Sequence, residues 1–324
     1  MRPSALGPGE EFDRIRAFLQ GMVLRPSEVL VGPGDDAALV TPDLVLSTDL
    51  AIEGVHFDLD WITPSQAGRR AAACAISDIA AMGAEFTGVL ASVAIPAGRW
   101  SEGEALMRGL RDRVEELGGA LIGGDLTRSP GPLLVDVVAL GRTEYPLLRS
   151  GAHLGDELWV TGRLGGAATA VRGWQSGREP APAHRALWAE PAPRLTEARW
   201  LARHAGARAA IDLSDGLAGD AAHLGGASGL GIELDGFEIP LAEGVGDLET
   251  ALRGGDDYEL LVACPRGGLD PRGVEDFGRT FDLEITRIGR TTRGAGVALR
   301  HEPGGIPLLL AGSGYDHFQD EAEP

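Results

Sequence analysis

Six short acid-bearing clusters carry most of the chemistry open to this sequence. Ile211-Asp212-Leu213-Ser214-Asp215-Gly216 sets two carboxylates and a hydroxyl between an apolar run and a helical run. Upstream lie Gly32-Pro33-Gly34-Asp35-Asp36, Ser47-Thr48-Asp49, Ser77-Asp78 and Gly123-Gly124-Asp125; downstream lies Gly254-Gly255-Asp256-Asp257-Tyr258-Glu259. Hard cations such as Mg²⁺ take oxygen ligands, few of them from protein, and complete their shell with phosphates and water. Asp36, Asp49, Asp78, Asp125 and Asp212 come from five separate segments and could hold several such ions. Two or more ions would grip a triphosphate and neutralise charge during phosphoryl transfer.

Asp78 carries this expectation furthest. Its neighbours at helical spacing are Cys74, Ala75, Ala81 and Met82, so it does not sit on a solvated face. A carboxylate in such a setting needs a cation or hydrogen-bond donors; a helix–helix hydrogen bond is the plainer alternative. Plainer roles exist elsewhere too. Asp35 and Asp36 follow a Pro-Gly turn, Ser214 or Asp215 could cap the helix predicted from Gly216, and a lone His56 is more often structural than functional.

Composition narrows the field. A net charge of −19 disfavours nucleic acid and anionic membranes as partners, since both demand a basic face. Phosphorylated substrates remain open, because bound divalent cations invert local charge. The sequence contains no lysine and no G-x-x-x-x-G-K-[ST] motif, which removes Schiff-base chemistry and the phosphate-binding lysine of P-loop and protein-kinase sites. Cys74 and Cys264 stand far apart in apolar runs, as expected of core thiols in a reducing cytoplasm. Met1 to Glu10 has no apolar region of a secretory signal, and the most apolar stretch, 71–96, is interrupted by Asp78 and Glu85.

A chain of 324 residues suits two domains. The cluster of Pro146, Arg149, Gly151 and Gly155 places the boundary there, giving domains 1–146 and 147–324. Periodicity predicts helices over 11–20, 65–82, 100–117, 165–174 and 194–204, with another from 216. Strands are expected at 29–31, 44–47, 86–95, 120–122, 133–140, 157–161, 209–211, 231–234, 259–264 and 284–288. Residues 177–193 read as a loop or hinge, with at most a helical turn at 183–189. The alternation indicates an α/β or α+β fold, with Asp36, Asp49, Asp125 and Asp212 at strand ends.

The ordered motifs resemble those of the thiamine-monophosphate kinases, members of the aminoimidazole-ribotide-synthetase-like ATP-binding superfamily. The resemblance runs from about Phe12 to Phe318. It is carried by Gly-Pro-Gly-Asp-Asp-Ala-Ala at 32–38, Ser-Thr-Asp at 47–49, Gly-Val-His-Phe at 54–57 and Ser-Asp-Ile-Ala-Ala-Met-Gly-Ala at 77–84. Gly-Gly-Asp-Leu-Thr-Arg at 123–128, Arg-Ser-Gly at 149–151, Ile-Asp-Leu-Ser-Asp-Gly at 211–216, Gly-Gly-Asp-Asp-Tyr-Glu-Leu at 254–260 and Gly-Tyr-Asp-His-Phe at 314–318 complete it.

The resemblance implies ATP-dependent phosphorylation of thiamine monophosphate to thiamine diphosphate, by direct γ-phosphoryl transfer without a phosphoenzyme. Asp36, Ser47, Thr48, Asp49, Asp78, Asp125 and Asp212 would be Mg²⁺ ligands, Asp215 would serve a further ion, and Asp78, Asp125 and Asp212 would be central to catalysis. Gly124, Asp125, Arg149 and Ser214 would contact ATP, while His56, Asp256 and Tyr315 would line the thiamine-phosphate pocket. Asp256 departs from the family's frequent Glu, and Val55 from the residue that commonly precedes the pocket His. A homodimer joined through the N-terminal sheet is implied, with a C-terminal α/β domain and sites near the inter-domain cleft. The rivals are a sister enzyme of aminoimidazole-ribotide-synthetase type and a non-catalytic metal- or nucleotide-binding protein.

Overall fold

The computed structural model describes residues 10–19 and 28–310. Its N-terminal half contributes α1 (Glu10–Leu19), β1 (Val29–Val31), β2 (Ala38–Val40), β3 (Leu44–Ile52), α2 (Pro64–Ala81), β4 (Glu85–Pro96), α3 (Trp100–Glu116), β5 (Ala120–Ser129) and β6 (Leu134–Arg142). These strands form one sheet in the order β1-β2-β3-β6-β4-β5, antiparallel except where β4 meets β5.

A 3₁₀ turn at Arg149–Gly151 leads into the second half: β7 (Glu157–Thr161), α4 (Gly166–Gln175), α5 (Pro182–Ala189), α6 (Leu195–His204), β8 (Ala209–Asp212) and α7 (Leu217–Ser228). Next come β9 (Gly231–Asp235), α8 (Leu248–Arg253), β10 (Leu260–Cys264), α9 (Pro271–Phe281), β11 (Ile285–Thr292), β12 (Val297–Arg300) and β13 (Leu308–Leu309). The second sheet runs β13-β12-β9-β11-β7-β10-β8, with β9 and β12 its parallel pair.

Helix α2 is the element on which the site is hung. Thr63 and Gln66 close a capping box at its start, and Pro64 takes the first helical position. Its apolar face, with Ile76 and Ile79, packs with α3 residues Leu106 and Leu110 over Val45, Val89, Val135 and Val137 of the sheet. The two helices approach through paired glycines. A Cβ on Gly68 would lie 1.9 Å from the Leu106 carbonyl oxygen, and one on Gly109 would lie 2.0 Å from that of Ser65. Facing away from these helices, Leu50 and Leu90 are exposed. The same core takes in Ala167, Ala170, Trp188, Ala189 and Leu195, so α4 and α5 seat against the first sheet's lobe.

Several sequence expectations change. Asp49 and Asp125 are not at strand ends: β3 runs on to Ile52 and β5 to Ser129, because their backbones stay paired with β6 and β4 past the acids. Only Asp212 ends a strand, while Asp36 lies in the bend before β2. Neither Ser214 nor Asp215 caps α7, whose N-cap Gly216 has no side-chain cap bond. Residues 182–189 form a helix rather than a hinge, held by packing of Trp188 and Ala189 in the first core. Helices α8 and α9 and strands β2, β12 and β13 are additional to the elements that periodicity predicts.

The Gly68–Leu106 approach fixes a test. Gly68→Ala adds helix propensity but drives a methyl into backbone that no rotamer change can relieve, so it should destabilise by about 1–3 kcal/mol and lower Tm by several degrees. Gly226→Ala, also helical but facing open space, should leave Tm unchanged or raise it. Thermal unfolding by circular dichroism separates the two; equal melting would refute the close approach.

Candidate active site

Three segments deliver one carboxylate each to a common point. Asp36 comes from the bend before β2, Asp78 from the last turn of α2 and Asp212 from the end of β8, and one oxygen of each lies within 4.8 Å of the others. Asp36 and Asp212 are buried and Asp78 is half-buried. Around them, Arg149 grips Asp36 in a fork, Nε donating to Oδ2 at 2.9 Å and Nη2 to Oδ1 at 2.7 Å. The Arg149 backbone N–H donates to Asp35, and its carbonyl accepts from Ser228 Oγ at 2.7 Å. Ser47 Oγ donates to Asp78 Oδ2.

Like charges packed out of water resist ionisation. Burial, then the Asp36 carboxylate, push Asp212 up to about 7. Burial, Asp212 and Asp36 push Asp78 well above the usual carboxylate range. Asp35 also rises to about 7, through burial and Asp36. Asp220 is buried behind them, accepts from the Asp215 backbone N–H at 3.2 Å, and is raised by burial and by Asp215. One arginine therefore faces several converging carboxylates. The donor set is all oxygen and short of positive charge, which fits hard divalent cations.

The cluster lies at one end of a cavity of about 860 Å³ between the lobes, whose lining includes Thr48, Asp49, His56, Asp78, Arg149, Asp212, Ser214, Asp215 and Asp256. His56 follows β3, and its Nδ1 accepts from the Ile52 backbone N–H at 3.1 Å. In the neutral ring the proton then sits on Nε2. Asp256 accepts from Arg70 Nη2 at 2.6 Å and from Trp188 Nε1 at 2.9 Å. Trp188 packs edge-on against both Trp61 and Trp174, which stack on each other at 5.0 Å.

The remaining candidates divide. Asp49 shares a strand face with Ser47 and lines the cavity. Thr48 borders the cavity, but its side chain lies on the opposite face, where its hydroxyl donates to Asp136 at 2.9 Å. Gly124 and Asp125 line a second cavity of about 640 Å³ against α3. Gly124 shares a register row with Asp49 through Val137 and Ala91, three strands away, which at strand spacing is roughly 14 Å. The chain thus does not bring Asp125 to the three-acid cluster by itself. Tyr315 lies outside the described residues. Arg70, at the cavity's aromatic end, is not among the sequence candidates; its signal is the four-residue spacing of Arg70, Cys74 and Asp78 along one helix face.

Comparison with known proteins follows the same division into halves. Residues 34–143 match the family described as AIR synthase related protein, N-terminal domain, and residues 154–302 match its C-terminal domain. Thiamine-monophosphate kinase of Mycobacterium tuberculosis is 37% identical over 288 residues, covering 84% of this chain and 85% of that protein. The Escherichia coli K12 enzyme of that name is 34% identical over 331 residues, covering 95% and 98%. A solved structure described as AaThiL complexed with AMPPCP and TMP superposes with a TM-score of 0.77 at 30% identity, covering 95% of this chain and 98% of that one. By both halves of its length and by these relatives, the chain belongs to the AIR synthase related family and, within it, to the thiamine-monophosphate kinases.

Proposed function

We propose that this chain transfers the γ-phosphoryl group of ATP to thiamine monophosphate, yielding thiamine diphosphate and ADP. One observation carries the reading beyond family membership: the converging carboxylates of Asp36, Asp78 and Asp212 sit at one end of an inter-lobe cavity whose other end is aromatic and lined by His56 and Asp256. One end suits phosphates with cations, the other a flat heteroaromatic group.

Asp36, Ser47, Asp49, Asp78 and Asp212 would hold Mg²⁺, with Asp125 and Asp215 completing the set; Thr48, its hydroxyl turned to Asp136, would have only backbone to offer. Bound there, the ions would supply neutralisation of the charge that builds on the transferring phosphoryl group. Arg149 keeps the Asp36 carboxylate oriented and, with Gly124, Asp125 and Ser214, contacts the nucleotide. His56 presents Nε2–H to the acceptor, and Asp256 and Tyr315 line its pocket. Transfer is direct, because the acceptor's own phosphate oxygen is the nucleophile and needs only alignment.

Asp125 completes the cation set through a second copy of the chain. The open face of the first sheet, with Leu50 44% and Leu90 39% exposed, offers the apolar surface for a homodimer. The lobes divide at 146/147, and the enzyme works in a reducing cytoplasm; both cysteines are free and buried. Among the described residues no helix is long and apolar enough to cross a membrane.

A coupled assay with ATP, Mg²⁺ and thiamine monophosphate should yield thiamine diphosphate, and unphosphorylated thiamine should not serve as acceptor. Asp212→Asn should lower kcat by roughly 10²-fold or more while melting no lower than wild type, since it removes a buried like charge. Near-normal turnover in the folded variant would eliminate Asp212 from the cation set.

The raised carboxylates also set a pH dependence. Between about pH 4 and pH 7 the folded, metal-free chain holds protons on Asp35, Asp78 and Asp212 that the unfolded chain has released, so stability falls as pH rises through that window. Mg²⁺ takes the place of those protons, so its stabilisation should grow with pH. Melting in EDTA and in millimolar Mg²⁺ at about pH 6 and about pH 8 should show the larger Mg²⁺ effect at the higher pH. A pH-independent Mg²⁺ effect would place the ions elsewhere.

A further inference from the structure

Arg70 lies two turns before Asp78 on α2, about 12 Å along the helix, at the other end of the same cavity. It is 5% exposed, and each guanidinium nitrogen has a partner from a different segment. Nε donates to the His56 carbonyl at 3.2 Å, Nη1 to the Trp188 carbonyl at 2.6 Å, and Nη2 to Asp256 Oδ1 at 2.6 Å. The guanidinium carbon also stands 4.3 Å from the centroid of the Trp188 ring. Asp256 is closed from the other side by Trp188 Nε1, so both its oxygens are engaged.

One cation thus ties the turn after β3, helix α5 and the loop after α8 into a single pocket wall. The loop is pinned from behind by the Asp256 and Tyr258 backbone N–H groups, which donate to Ser214 and Leu213, and Arg70 adds a tie on the cavity side. Asp256 has φ +71° and Tyr258 φ +50°, left-handed values that non-glycine residues hold only when their surroundings over-determine them. Burial works against the charge on Arg70, and the neighbouring Asp256 carboxylate works for it.

We propose that Arg70 is the positioning residue that sets affinity for the acceptor, acting through His56, Trp188 and Asp256, and that Asp256 serves as a carboxylate paired to Arg70 rather than as a free counter-ion for the cationic ring of the substrate. This rests on the kinase reading above and deepens it. A fixed wall presents His56 and the Trp188 surface in one geometry; without Arg70 the half-buried Asp256 carboxylate keeps only the Trp188 indole N–H, and the His56 turn, α5 and the loop lose their common partner. The cation cluster is held by other bonds, so nucleotide handling should persist.

The test is steady-state kinetics of Arg70→Met, Arg70→Lys, Asp256→Asn and the Arg70→Met/Asp256→Asn double variant, each in the full chain with Mg²⁺. Arg70→Met should raise KM for thiamine monophosphate about tenfold or more, with kcat and KM for ATP within about threefold of wild type. Arg70→Lys, which keeps the charge but not the fork, should fall between. The double variant should match the worse single variant, because the two residues act as one unit. Multiplicative effects would overturn the pairing, and an acceptor KM unchanged in Arg70→Met, or an equal rise in KM for ATP, would overturn the positioning role. Should Arg70→Met fail to fold, Arg70→Lys against Asp256→Asn gives the same split. A wild-type chain that forms no thiamine diphosphate would overturn the kinase reading instead, whatever the variants do.

Discussion

A deficit of positive charge is the constraint on which the rest of this molecule turns. Asp36, Asp78 and Asp212 converge in a space largely closed to water, and Arg149 answers only Asp36 directly. Removing one charge from water is expensive, and bringing like charges together there adds to the expense. The fold tolerates this by spreading the acids over three rigid places: a bend, a helix end and a strand end. None of them can drift away to relieve the repulsion without dismantling a core. A site held together against its own charge has the electrostatics that suit cations.

The two lobes are joined by the elements that build the site. Helix α2 runs along the cavity with Asp78 near one end and Arg70 near the other, so two helical turns separate the three-acid cluster from the aromatic end. The segment 254–259 answers from the other lobe with three acids on three duties. Asp256 meets Arg70 and Trp188. Asp257 accepts from the Gly165 backbone N–H ahead of α4, and burial raises its pKa to about 8. Glu259 takes Arg194 Nε at 2.7 Å and Thr161 Oγ1 at 2.5 Å. A segment rich in acid reads as solvated in isolation; here each carboxylate is an anchor for a different element.

What the sequence disclosed follows from where the information lies. Asp78 among alanines was legible because helical spacing reports a side chain's neighbours directly, and Asp212 because an apolar run ended on it. Asp49 and Asp125 were assigned to strand ends because acid and glycine look like punctuation, yet β3 and β5 continue through them: pairing with β6 and β4 is a long-range fact that no local composition carries. Helix 182–189 was obscured by its prolines and alanines for the same reason, since it owes its order to Trp188 in the first core. Arg70 was passed over because a lone arginine on a helix is ordinarily a solvated charge, and only the fold shows three other segments closing on it.

The absence of lysine makes the division of labour stricter. A lysine is a compact point charge that can follow a phosphate as it moves; arginine is a planar fork that holds what it grips. Arg149 forks onto Asp36 through Nε and Nη2, and Arg70 gives one N–H to Asp256 and the others to the His56 and Trp188 carbonyls. These two arginines are spent largely on the framework, and on the proposed reading bound cations would supply the remaining positive charge. That explains why the acids outnumber the bases at the site, and why a chain of net charge −19 can still be built to receive a triphosphate.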